Sequence, residues 1–242
     1  MILAAGLGTR MRPLTDILPK PLLVVGGKPL IQYHIERLQR AGITEVVVNL
    51  AYRGQQIRDF LGEGENFGVK ISYSEEGEPL ETAGAILKAA PLLGSEPFLL
   101  VNADIWTDYD INLLLAEPLP PTCAGRLLLV SNPDHHPRGD FSCSALGSDG
   151  DSPVDSRACA NNTTLMAIDE RHPGLTFSGI SLLRPQLVTE YPQARLRFPL
   201  AECFRYALAD GRLQAQVYTG QWWDIGTPER LQALDQLLIG GG

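Results

Sequence analysis

Several stretches of this chain combine residue types that could do phosphate chemistry. The first is Leu3-Ala4-Ala5-Gly6-Leu7-Gly8-Thr9-Arg10-Met11-Arg12-Pro13, continuing to Pro19-Lys20-Pro21. An apolar strand pattern there runs into a loop of small residues, whose backbone N–H groups can approach phosphate oxygens closely. Arg10 offers a guanidinium fork that matches a phosphate in two bonds. Lys20, between prolines, offers a compact charge at a fixed place. Residues 1–20 carry three basic side chains (Arg10, Arg12, Lys20) against one acidic (Asp16), a local balance of +2 in a chain of net charge −8. The string is neither the three-glycine dinucleotide fingerprint nor a P-loop, which needs Gly-Lys-Ser/Thr. A Gly-rich turn bearing surface arginines is the plainer alternative.

Glu76-Gly-Glu-Pro-Leu-Glu-Thr-Ala-Gly84 stands between a strand pattern and a helix pattern. Its backbone groups could read a base edge, and Gly84 would permit close approach; a helix-start capping arrangement is equally compatible. Phe98-Leu-Leu-Val-Asn-Ala-Asp104 is an apolar strand ending in a carboxylate. That is a place where Mg²⁺ could be bridged to phosphates, although a lone Asp after a strand is more often a turn or N-cap residue. Asp224, in Gln221-Trp-Trp-Asp-Ile-Gly-Thr-Pro228, has the same two readings. His135 and His136 are adjacent, so they point apart, and no third ligand stands near; a structural or substrate-shaping role fits better than a metal pair.

The elements that must position these residues alternate over the first 132 positions. Strand patterns at Met1–Ala5, Glu45–Leu50, Val69–Ser74, Pro97–Asn102 and Arg126–Ser131 are separated by helical ones. Ile31, Ile35 and Leu38 form one helical face, ended at Gly42. Ile57, Phe60 and Leu61 form another, and Ala83–Ala90 is a third helix, stopped by Pro91. Such alternation implies right-handed crossovers and a mostly parallel sheet flanked by helices, a Rossmann-like α/β fold. Ligands in such sheets bind at the C-terminal ends of the strands. Residues 142–172 keep neither period and read as an irregular insertion or lid. Strand patterns return at Leu175–Leu183 and Leu213–Tyr218, with a helix near Leu200–Leu208. A last helix starts at Thr227-Pro228, with Leu231, Leu234 and Leu238 on one face.

The chain has 242 residues, enough for one domain with a full core. Its acidic balance excludes nonspecific nucleic-acid binding, which needs a basic face. No run is long enough to span a membrane, and the initial apolar stretch is too short for a secretory leader. Cys123, Cys143, Cys159 and Cys203 show no C-x-x-C or zinc-finger spacing and read as free thiols of a reducing compartment. The expectation is a cytoplasmic protein, a monomer or small homo-oligomer, with no nucleic-acid or membrane partner.

The string L-A-A-G-x-G-T-R-M-R-P-L-T…P-K-P-L resembles the sugar-1-phosphate nucleotidylyltransferases, and the resemblance covers most of the chain apart from 142–172. It implies a single nucleotidyltransferase domain with a nucleotide-binding part (1–104) and a sugar-binding part (105–242). It implies that the loop from Leu3, Ala4, Ala5 and Gly6 onward binds a nucleoside triphosphate. Gly8, Thr9 and Arg10 would hold the β- and γ-phosphates, and Lys20 would stabilise charge on the α-phosphate, making Lys20 and Arg10 the catalytic pair. Glu81 and Thr82, with Glu76 less firmly aligned, match the nucleobase loop. Asp104 and Asp224 match the two carboxylates that hold Mg²⁺. Three further segments, Asp104–Asp110, Asn132–Phe141 and Thr176–Ser181, resemble the branch that uses UTP and N-acetylmuramic acid 1-phosphate in peptidoglycan recycling. Gly139, Ser178 and Gly179 would there face the sugar phosphate. Glucose 1-phosphate, mannose 1-phosphate or phosphocholine are alternative acceptors, and a glycosyltransferase or a noncatalytic nucleotide-binding paralogue are alternative classes. Family members often place a second Lys on the acceptor phosphate. This chain has no Lys after Lys88, so Arg138, with Arg171 behind it, is expected in that role.

Overall fold

The computed structural model describes residues 1–143, 163–166 and 174–240. In chain order the strands are β1 (Ile2–Leu3), β2 (Val24–Val25), β3 (Lys28–Pro29), β4 (Glu45–Leu50), β5 (Lys70–Glu75), β6 (Phe98–Asn102), β7 (Ile105–Thr107), β8 (Gly125–Val130), β9 (Ser142–Cys143), β10 (Thr163–Met166), β11 (Thr176–Leu183), β12 (Leu213–Tyr218) and β13 (Trp222–Asp224). The helices are α1 (Leu30–Arg40), α2 (Gly54–Leu61), α3 (Glu81–Leu93), α4 (Ile111–Leu115), α5 (Gln186–Thr189), α6 (Leu200–Ala209) and α7 (Pro228–Gly240).

Nine strands form one sheet in the order β5-β4-β1-β6-β11-β8-β12-β10-β9. All run in one direction except β11 and β10, which pair antiparallel with their neighbours. The mostly parallel, Rossmann-like α/β architecture expected from the alternating pattern is therefore present, and one sheet runs through both halves of the chain. The helices divide by face. Ala83, Ile86 and Ala89 of α3, Leu187 of α5 and Phe204 of α6 share one core. Ile31, Ile35 and Leu38 of α1, Ile57 and Leu61 of α2 and Leu114 of α4 share the other. Each fully buried Ile, Leu or Phe among them contributes about 1.5–3 kcal/mol. Covered on both faces, β8 is buried along its whole length, the reason a strand there reads as a continuous apolar run. A third core gathers Met11, Leu23, Val25, Leu30, Trp106, Ile225 and Leu234 beneath the phosphate-type loop.

Three expectations change. Pro91 does not stop α3; the helix continues to Leu93 and ends at Gly94 (φ 74°). A proline so near the end forfeits one carbonyl partner without disturbing the turns before it. Phe60 does not share the buried face of Ile57 and Leu61; it is 37% exposed and stacks against Phe67, centroids 5.9 Å apart. Residues 142–172 are not wholly irregular, because β9 and β10 lie within them and extend the sheet. β10 pairs with β12 and β9 with β10, a long-range pairing that local periodicity does not show. Arg171 and Cys159 lie outside the described residues, whereas Cys123 and Cys203 are buried free thiols. Among the described residues no helix is long and apolar enough to cross a membrane.

Candidate active site

The site forms at the C-terminal ends of β4, β1 and β6. Ala4 N–H donates to Asn49 Oδ1 (2.7 Å). Asn49 Nδ2 donates to Glu76 Oε1 (2.6 Å), and Leu80 N–H to Glu76 Oε2 (2.9 Å). These bonds join the end of β1, the end of β4 and the loop before α3. Glu76 is buried with both oxygens engaged, so its carboxylate braces the wall of the cavity it lines.

After β1 the loop turns through Gly8 at φ 62°, where a Cβ would lie 2.8 Å from Thr15 Cγ2. Only glycine fits that conformation and that contact. Thr15 Oγ1 and Met11 N–H both donate to Gly8 O at 2.8 Å. With Met11 locked in the third core, Thr9 and Arg10 are left exposed. Arg12 pairs with Asp16 (3.2 Å), while Arg10 has no ion-pair partner among the described residues. Lys20 is nine-tenths buried, and its Nζ donates to Asp104 Oδ2 at 2.6 Å.

Asp104 and Asp224 are brought together by the β7–β13 ladder, in which Asp224 stands opposite Ile105. Ile225 N–H donates to Asp104 O (2.8 Å), which fastens the strand ends. Each carboxylate carries a cationic partner: Lys20 on Asp104, and on Asp224 the guanidinium of Arg230, whose Nη1 lies 2.5 Å from both oxygens. His135 Nε2 stands 3.1 Å from Asp224 Oδ1, whereas His136 turns to Asp140 (3.2 Å). The adjacent histidines thus point apart, as their spacing required. Two carboxylates suit Mg²⁺, which is held by one or two carboxylates plus substrate phosphates and not by an all-protein cage. Among the described residues no group of three or more His, Cys, Asp or Glu is placed to cage a metal ion.

Leu3, Ala4, Ala5, Gly6, Lys20, Glu76, Glu81, Thr82 and Asp104 line one open cavity with Asn49 and Asn102. Glu81, at the start of α3, holds a left-handed φ of 61°, a strained state for a non-glycine residue. Its carboxylate pairs with Arg197 at 3.4 Å. Ala83 and Gly84 N–H groups donate to Phe198 O (3.1 and 3.3 Å), and Leu200 N–H to Thr82 Oγ1 (2.7 Å). A Cβ on Gly84 would sit 2.4 Å from Leu196 O. Gly84 therefore makes room for the 196–198 backbone and not for a base, a correction to the sequence reading.

Thr82 and Asn102 also border a second cavity of about 530 Å³, walled by Phe141, Phe177, Leu200 and Phe204, with Asp140 and Arg205 as its charged groups. Gly179 (φ 85°) lies in the β11 bulge, where a Cβ would meet Asn102 Nδ2 at 2.9 Å. Ser178 is wholly buried and accepts from Ile180 N–H (3.2 Å). Gly139 (φ 66°) closes a turn against Asn132 and the 174–175 backbone. That turn leaves Arg138 exposed, beside His136 and Pro137 in a separate depression. Arg138 is thus brought to neither of these two cavities, and among the described residues Arg205 is the arginine that reaches the second one.

Sequence reasoning missed Asn49, Asn102, Arg205 and Arg230. Asn49 had a signal, a lone amide inside Val46-Val47-Val48-Asn49-Leu50, since a polar side chain in a buried strand must find partners. So did Arg230: a cation in the first turn of a helix opposes the helix dipole unless a carboxylate answers it. Nothing in the sequence distinguished Arg205 from other surface arginines.

A cationic loop after the first strand, an open cavity and two carboxylates fastened near each other by the β7–β13 ladder are the features of a nucleotidyl transferase. The chain matches the family described as nucleotidyl transferase over residues 1–138 and belongs to it. Over 240 residues it is 45% identical to the N-acetylmuramate alpha-1-phosphate uridylyltransferase of Neisseria meningitidis serogroup B, covering 98% of this chain and 96% of that one. It is accordingly a sugar-1-phosphate nucleotidylyltransferase. Two crystal structures share the fold. One is a Bacillus anthracis chain in complex with a sucrose (TM-score 0.79, 22% identity, 98% and 94% of the two chains covered). The other is HddC from Yersinia pseudotuberculosis complexed with GMP-PN (TM-score 0.69, 24%, 98% and 97%).

Proposed function

We propose that the protein transfers the uridylyl group of UTP to N-acetylmuramic acid 1-phosphate, with Mg²⁺, giving the UDP-sugar and pyrophosphate. The observation that carries the choice of substrates is the 45% identity, over nearly the whole of both chains, to the meningococcal uridylyltransferase. The reaction would serve reuse of peptidoglycan sugars in the cytoplasm.

An oxygen of the acceptor's phosphate attacks the α-phosphorus of UTP, and the bond from that phosphorus to the bridging oxygen breaks. The electron pair leaves on pyrophosphate. The attacking phosphate is already ionised, so no protein base is required and catalysis reduces to positioning and charge stabilisation. Backbone N–H groups between Gly6 and Thr9, with the exposed Arg10, would take the β- and γ-phosphates. Lys20, oriented by Asp104, would meet charge developing at the α-phosphate. Mg²⁺ bound by Asp104 and Asp224 would neutralise phosphate charge as a Lewis acid. The sugar would enter the second cavity, where Arg205 can take up an anionic group and Asp140 can accept from hydroxyls.

Pyrophosphate release, scanned over four nucleoside triphosphates and a panel of sugar 1-phosphates, tests this reading. The fastest release is expected with UTP and N-acetylmuramic acid 1-phosphate, and none after chelation of divalent ions. Release with glucose 1-phosphate alone would remove the acceptor assignment. Silence with every pair would favour a nucleotide-binding paralogue.

A further inference from the structure

Asp224 is already satisfied before any metal reaches it. Arg230 Nη1 lies 2.5 Å from each of its carboxylate oxygens, and His135 Nε2 lies 3.1 Å from Oδ1 and 3.0 Å from Arg230 Nη1. The pair is only partly open to solvent, with the Asp224 side chain 28% and the Arg230 side chain 22% exposed. Arg230 stands in the first turn of α7, where the helix dipole disfavours a cation, so its place there is accounted for by the carboxylate it meets. Gly226 keeps the space clear: a Cβ there would lie 3.0 Å from Arg230 Nη1 and 3.3 Å from Asp224 Oδ2.

We propose that Arg230 is a resident counter-cation of Asp224, a positioning residue that makes the carboxylate a poor ligand for a bare divalent ion and a good one for an ion arriving with nucleotide phosphates. The inference rests on the reading of Asp104 and Asp224 as metal carboxylates. A divalent ion approaching Asp224 must displace the guanidinium or sit beside it, and two cations at that range repel unless an anion stands between them. A triphosphate would supply that anion, and a guanidinium displaced from Asp224 could pair with one of its phosphates through its fork. The result couples metal entry to substrate entry.

Mn²⁺ binding to the full-length chain, followed by electron paramagnetic resonance, reads this without turnover. Wild type, Arg230→Gln, Arg230→Met, Arg230→Lys and Asp224→Asn are compared with and without UTP. Removing the adjacent cation in Arg230→Gln is expected to tighten binding of Mn²⁺ alone by about tenfold or more. Arg230→Met should do the same and stands in if Arg230→Gln does not fold. Arg230→Lys, which keeps the charge, should stay near wild type, a rescue that a purely structural role for the side chain would not give. With UTP present the neutral variants should lose their advantage. If the neutral variants bind Mn²⁺ no better than wild type while Asp224→Asn loses it, the counter-cation role is wrong and the metal carboxylate stands. If Asp224→Asn leaves Mn²⁺ binding intact, the metal reading itself falls.

Discussion

Lys20 and Asp104 show how much of the site rests on single charges. The ammonium is nine-tenths buried and bonded to Asp104 at 2.6 Å, and Asp104 in turn stands beside Asp224 across the β7–β13 ladder. Truncating Lys20, Asp104 or Asp224 to Ala removes a charge that the proposed mechanism assigns to the reacting phosphates, without cutting into any of the three cores. Each variant should keep wild-type circular dichroism and lose roughly 100-fold or more in kcat, the scale for a preorganised electrostatic donor. Near-wild-type kcat in any of them would end the role assigned to that residue. These three residues were assigned in the sequence through the family resemblance, since a lone carboxylate at the end of a strand or before a helix reads as readily as a turn or cap residue. Asn49 and Arg230 carried a signal in the sequence but were not read, because the role of each shows only with its partner: Glu76 for Asn49, and Asp224, six residues before it, for Arg230.

At the scale of elements, α1 and α3 hold the site from below and from the side. His34 of α1 is fully buried, its backbone-directed hydrogen bond reaches Ile105 just after Asp104, and its Nε2 has no partner. Burial, then the Arg37 charge, lower its pKa from 6.5 to about 3. Between those values the unfolded chain takes up a proton that the folded one refuses. Stability is therefore full above about pH 6.5 and declines as pH falls toward 3, by up to about 1.4 kcal/mol per unit from this residue. Urea unfolding at pH 7, 5 and 4 should show the decline, and His34→Gln should flatten it; an equal slope in the variant would contradict the assignment. On α3, Gly84→Ala would press a methyl against Leu196 O, where only backbone can yield. The expected loss is about 1–3 kcal/mol, measured as a lowered urea midpoint, and an unchanged midpoint would show that the 196–198 segment is not clamped there. The long strands and amphipathic helices were legible because their periods are local. β7, β13 and the β2–β3 hairpin were not, since strands of two or three residues carry no period and exist through their partners. Pro91 misled for a similar reason, because the cost of a proline depends on how many turns follow it.

The whole molecule resolves a mismatch between its net charge of −8 and a polyanionic substrate. Arg10 and Lys20 concentrate positive charge on the loop after β1, while the third core ties that loop, through Met11, to Trp106 of β7, Ile225 and Leu234 of α7. One packed unit thereby fixes the phosphate loop and both carboxylates relative to each other, although they come from opposite ends of the chain. The family was legible from the first twenty residues. Arg205 and Asp140 were given no role in the sequence, because elements far apart in the chain bring them to the second cavity. The central claim is nucleotidyl transfer at the α-phosphorus, and the fate of each phosphate tests it most directly. The protein would be incubated with N-acetylmuramic acid 1-phosphate and UTP carrying ³²P at either the α or the γ position. All α-label should appear in the UDP-sugar and all γ-label in pyrophosphate. Label from the γ position in the sugar product, or no labelled sugar from either substrate, would contradict the account.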